Sequence, residues 1–75
     1  MSIRNDKELE FAIFCIENVA IELNVSGNKI YDDFTIKSNI LNDYIVASYD
    51  VLHTQGKEYI VRDIIETMEI QGVTV

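Results

Sequence analysis

The chain has no proline and no tryptophan, and only one cysteine, one histidine and three glycines among its 75 residues. Without a second cysteine no internal disulfide can form, which suits a reducing compartment. One histidine and one cysteine cannot close a zinc site, and no Asp-rich calcium loop is present. The glycines stand apart at 27, 56 and 72, so no glycine-rich loop exists to cradle a phosphate. No cofactor and no metal are therefore expected. Basic residues are scarce as well. Six Lys and Arg against thirteen Asp and Glu leave a net charge of −7. That balance repels nucleic-acid backbones and anionic lipid, and it suits a protein partner with a basic surface. No apolar run approaches the roughly 20 residues that span a bilayer. The charged opening from Met1 to Glu10 does not read as a secretory signal, so the expected location is cytoplasmic.

What the chain does have is aliphatic and helical. Hydrophobic residues make up 48% of it, too many for a disordered segment. A single domain over 1–75 is expected, near the small end of what folds alone. With neither disulfide nor metal to reinforce the core, self-association or a partner is a natural source of further stability. The apolar periods break at the glycines and at Lys37-Ser-Asn39. They predict an all-α fold, a compact bundle of about four helices.

The first helix is predicted over Asp6–Leu23, capped by Asn5 with Glu8 three residues on. Its apolar stripe reads Leu9, Ile13, Ile16, Ala20 and Leu23, with Ala12 and Val19 beside it and Glu10, Glu17 and Glu22 in water. Asn24 to Asn28 is a turn in which Ser26 caps a short second helix. That helix should bury Ile30, Tyr31 and Phe34 and turn Asp32 and Asp33 outward. Ser38 or Asn39 caps a third helix, from Ile40 to Thr54. One stripe of it (Ile40, Leu41, Tyr44, Ile45, Ser48, Val51, Leu52) is assigned to the core. A second, Val46, Tyr49, Asp50 and His53, is left accessible. Gly56 supplies the left-handed residue that ends this helix. The fourth helix, Lys57–Gln71, buries Ile60, Val61, Ile64, Ile65 and Met68 and shows Glu58, Arg62 and Glu66 to solvent. Gly72 stops it, and Val73 to Val75 form a β-prone tail.

Three functional classes can be weighed on these residues. For catalysis, His53 near a helix C-terminus is explained by a cap or joint hydrogen bond. An enzyme using it would need a pocket that encloses it with a second polar group. Cys15 lies mid-helix among apolar neighbours and reads as a small hydrophobe; a Cys15–His53 nucleophilic pair would require an activated thiolate. For DNA binding, the second and third helices can be laid out as a helix-turn-helix-like regulator. Its recognition helix would begin Ile40-Leu-Asn-Asp43, with no Arg or Lys before Lys57, whereas reading DNA takes basic phosphate contacts. Nucleic-acid binding is therefore expected only in complex with another chain. The third class, a small acidic non-enzymatic protein-binding module, fits best. Val46, Tyr49 and His53 would provide its contact, with Tyr59 just beyond the turn and Asp43 and Asp50 as an acidic rim.

The run Tyr49-Asp50, Leu52-His53-Thr54, Gly56, Glu58-Tyr59-Ile60-Val61 and Asp63-Ile64 resembles a family of small uncharacterised bacterial proteins, mostly from anaerobic Firmicutes. The opening Lys7-Glu8-Leu9-Glu10-Phe11 and Phe14-Cys15-Ile16-Glu17 is similar to that family's first helix. The resemblance spans Lys7 to Ile70, and the Leu-His-Thr-x-Gly core is its specific part. It implies an all-helical fold with no established activity. Genes of this kind can lie beside genes for toxin-like enzymes, ADP-ribosyltransferase-like ones among them. The resemblance thus implies an antitoxin-like or accessory role.

Overall fold

In a computed structural model, which describes residues 6–73, the first apolar period becomes helix α1 over Asp6–Leu23, the predicted span. The predicted cap Asn5 and the tail residues Thr74 and Val75 lie outside the described residues. The face that α1 turns inward is rotated from the Leu9–Ile13 side of the predicted stripe toward the Ala12 and Val19 beside it. Ala12, Cys15, Val19 and Ala20 are buried together with Glu8, while Leu9 and Ile13 are 44% and 45% exposed. Small side chains let a neighbouring helix come close, so close packing rather than side-chain size sets the rotation of α1. The helix ends on Asn24 at φ 57°. There the Asn24 N–H donates to the Ile21 carbonyl at 3.2 Å and the Val25 N–H to the Ala20 carbonyl at 3.0 Å. This is a Schellman closure with asparagine in the left-handed position.

Ser26 caps α2 (Gly27–Thr35) by accepting from the Lys29 N–H at 3.2 Å. Ile30 and Phe34 enter the core as predicted, but Tyr31 is exposed and Asp33 is fully buried. The second departure has a direct cause. Lys29 and Lys37, one turn before and one turn after, reach the Asp33 carboxylate at 3.4 Å and 3.7 Å. A carboxylate so paired can leave water. Ser38 then joins α2 to the segment that begins at Ile40. Its Oγ donates to the Asp33 carbonyl at 2.6 Å and accepts from the Ile40 N–H at 3.4 Å.

The predicted third helix is the largest departure. Leu41–Val46 is wound as a π-helix, and Tyr49–Leu52 forms a separate four-residue helix, α3. A π turn closes i→i+5 where an α turn closes i→i+4. Each residue after it is therefore rotated away from the place that the 3.6-residue period assigns. Val46 falls inside, at 5% exposure, and Val51 falls outside, at 70%. Both predictions are reversed, while Ile40, Leu41, Ile45 and Leu52 stay in the core.

The end of α3 also differs. His53 Nδ1 donates to the Tyr49 carbonyl at 2.5 Å, and Thr54 Oγ1 donates to the Val51 carbonyl at 2.7 Å. The same carbonyls and that of Leu52 also accept the backbone N–H groups of His53, Thr54 and Gln55 at 3.0, 3.3 and 3.1 Å, so the turn closes without a left-handed glycine. Gly56, at φ −70° and ψ 158°, is instead the N-cap of α4 (Lys57–Ile70). Helix α4 buries Ile60, Val61, Ile64 and Met68 as predicted, with Ile65 partly covered. It closes on Gly72 at φ 73°, where the Val73 N–H donates to the Met68 carbonyl at 2.9 Å. The core gathers Cys15, Val19, Ile30, Phe34, Ile45 and Ile64 from the helices and the π segment. Among the described residues there is no strand. The fold is an all-α bundle.

Candidate functional site

The six side chains predicted for partner contact do not share one face. Val46 belongs to the core. Tyr49 is half-buried: its ring stacks on His53 at 4.3 Å and meets Phe11 edge-on at 5.5 Å. Phe11 in turn lies 6.2 Å from Phe14, nearly parallel to it. This aromatic row fastens α3 to α1, and with the Nδ1 bond to Tyr49 it accounts for His53 structurally. Asp43 and Asp50 are exposed. Tyr59 is exposed too, but it lines a separate depression with Tyr44, Val51 and Asp63. In that depression the Tyr44 hydroxyl donates to the Asp63 carboxylate and ties the π segment to α4. Burial raises the Asp63 carboxyl above its ordinary value of 3.8, and the charge of Glu66 raises it further.

The nucleophile considered from sequence is out of reach. Cys15 is fully buried, and burial pushes its thiol up to about 12, so no thiolate forms near neutrality. His53 is exposed at the far end of the aromatic row. Among the described residues no three His, Cys, Asp or Glu side chains cluster as a metal ion would need.

A groove of about 480 Å³ opens between α1 and α4. Its apolar floor is Ile21, which is 75% exposed, with Val61 and Ile65. Its rim carries Glu22, Glu58, Glu66 and Glu69 against Lys57 and Arg62. Glu22 and Glu69 stand in the last turns of α1 and α4, and neither last turn holds a basic residue. Carboxylates at the negative end of a helix dipole are unfavourable by roughly 0.3–1 kcal/mol each. Both walls of one groove thus place acids where helix stability favours bases. The sequence carried this signal in Ile21, an isoleucine off the apolar stripe beside Glu22; a last turn without Lys or Arg is common to all the described helices. The predicted contact face did not include Ile21.

The described residues thus form an all-α domain with an acidic, partly aliphatic cleft between α1 and α4. Over residues 10–70 the chain matches the family described as "Protein of unknown function (DUF3791)", and it belongs to that family. The matched span takes in the aromatic row and both walls of the groove. No curated protein and no solved structure gave a significant match. No described helix is long and apolar enough to cross a membrane.

Proposed function

We propose that this chain is a small acidic protein-binding module, an antitoxin-like or accessory partner in the bacterial cytoplasm for another protein with a basic surface. The observation that carries this reading is the α1–α4 groove, an aliphatic floor inside a mostly acidic rim on a chain of net charge −7. Covering the floor gains roughly 25 cal/mol per Å² of apolar area, and the rim steers a basic partner and penalises an acidic one. The DNA-binding reading has less support. Lys29 and Lys37, the two bases between the first helix and Lys57, both turn to Asp33, and the segment that would read bases is π-wound without Lys or Arg.

Co-expression with the product of the gene beside its own tests the proposal. The expected result is a stoichiometric complex that dissociates as salt is raised, together with relief of growth arrest caused by the neighbour alone. A neighbour that arrests growth equally with and without this chain, and never co-purifies with it, overturns the antitoxin-like reading.

A further inference from the structure

Resting on that reading, we infer that the α1–α4 groove seats an amphipathic helix of the partner, about three turns long, whose aliphatic ridge is flanked by Lys or Arg. The groove's length sets the first term. Its α4 wall runs from Lys57 to Glu69, which at 1.5 Å per residue is about 18 Å, or a little over three helical turns. Its α1 wall is the single turn from Asn18 to Glu22, so the occupant lies along α4 and is flanked by α1 over one turn. The floor sets the second. Val61 and Ile65 lie one turn apart on α4, and Ile21 joins them from α1. An incoming ridge at i, i+3, i+4 and i+7 can settle between them as one helix packs against two.

Other recognition modes lack their requirements here. Strand addition needs an open sheet edge, and the described residues contain no strand. Polyproline ligands dock on aromatic grooves, and none of this groove's lining residues is aromatic. The rim sets the last term. Arg62 lies one turn from both Glu58 and Glu66, so that row as a whole is acidic, while Glu22 and Glu69 stand on opposite walls. A helix with bases on both sides of its ridge meets an acid on each wall.

The probe is a fluorescein-labelled synthetic peptide of about 15 residues, long enough to form helix on binding. It carries Leu at i, i+3, i+4 and i+7 and Lys at the flanking positions. Its partners are a scrambled peptide of identical composition and a version with Glu for Lys. Binding to the full chain is read by fluorescence anisotropy, and its place by heteronuclear NMR shifts. The designed peptide should bind saturably and the other two at least about tenfold more weakly. Its shifts should centre on 18–22 and 57–69. Ile21→Ser, and separately Glu22→Lys combined with Glu69→Lys, should each weaken binding by about tenfold or more, whereas Ile36→Ser, at an exposed isoleucine outside the groove, should not. The charge reversals place bases at helix C-termini and should leave the fold intact by circular dichroism. Equal binding of the scrambled peptide, or unchanged binding by the groove variants, overturns the inference. Peptide binding elsewhere with the neighbour complex intact removes this inference and leaves the protein-binding reading standing. Absence of both peptide binding and neighbour complex removes both.

Discussion

Helix α4 and the chain from Ile40 to Thr54 are almost equal in length, and both carry aliphatic residues at helical spacing. Only α4 folds as one uninterrupted α-helix. The difference lies in what each must bury. The inward residues of α4, Ile60, Ile64 and Met68, repeat at one face, and ordinary winding brings all three inside. The other stretch has Leu41, Ile45 and Val46 to bury against α1 and α2 at once. It also has Tyr44 to place against Asp63 of α4. Ordinary winding would leave Val46 outside; a π turn takes it in. Tertiary packing has overridden the local period, as it can wherever a helix gains more from its neighbours than from its own propensity.

The strongest test of this contrast is a matched pair of cavities. Ile64 in α4 and Ile45 in the π segment are both fully buried, and Ile→Ala at such sites costs roughly 2–5 kcal/mol. Ile64→Ala should fall in the upper half of that range, because a regular helix cannot move to fill the hole. Ile45→Ala should fall in the lower half, since a π turn can rewind and shrink its cavity. Denaturant unfolding of the two variants gives the comparison directly. Equal costs would mean that the π segment is as rigid as α4. Amide exchange should agree, with less protection over 41–54 than over 57–70.

The same contrast marks how much could be read from the sequence. The bounds of α1 and α4, the Ser26 cap and the Gly72 stop were legible because each signal acts within a few residues. The rotation of α1 was not. Its Leu9–Ile13 stripe and its Ala12–Cys15–Val19 stripe lie side by side, and the choice depends on how closely α2 approaches. A Cβ on Gly27 would already stand 4.0 Å from Ile16. Asp32 and Asp33 look alike in sequence, yet only Asp33 has a lysine four residues away on each side, and that spacing is what distinguishes them. No period reports a π turn, so Val46 and Val51 were misplaced. The groove was invisible as a unit because α1 and α4 supply its two walls from distant parts of the chain.

A smaller effect is expected where the irregular region is tied to the regular one. Tyr44→Phe removes the hydroxyl that donates to Asp63 and should cost about 1.5 kcal/mol, as loss of a hydrogen bond to a charged group does. The pH dependence sharpens this. Asp63 is raised above its ordinary 3.8 by burial first and by Glu66 second, so these outweigh the Tyr44 hydrogen bond, which favours the charged form. A carboxyl raised on folding contributes fully below its ordinary value, and that contribution is lost as pH rises through the folded value. Asp63→Asn keeps an oxygen to accept from Tyr44 and has no charge to bury. Its stability relative to the parent should therefore improve as pH rises from below 3.8 to neutrality. A difference that stays flat, or that falls, would place the Asp63 carboxyl at or below its ordinary value.

The smallest effect separates the two glycines that bound α4, of which the sequence suggested a left-handed helix end at Gly56 and a helix stop at Gly72. Gly72 has φ 73°, and nothing lies within 4 Å of a Cβ built there, so Gly72→Ala meets only backbone strain and should cost about 1 kcal/mol. Gly56 has φ −70° and makes no side-chain cap to α4, and a Cβ there also meets open space. Serine fits that backbone, can accept from an N–H in the first turn, and restricts the unfolded chain more than glycine does. Gly56→Ser should therefore stabilise by about 0.5 kcal/mol. Thermal unfolding of the two single variants resolves opposite signs even at this size. If Gly56→Ser destabilises as Gly72→Ala does, Gly56 occupies the left-handed region after all. The third helix then ends on glycine as its period predicted, and the capping of α3 by His53 and Thr54 is not what terminates it.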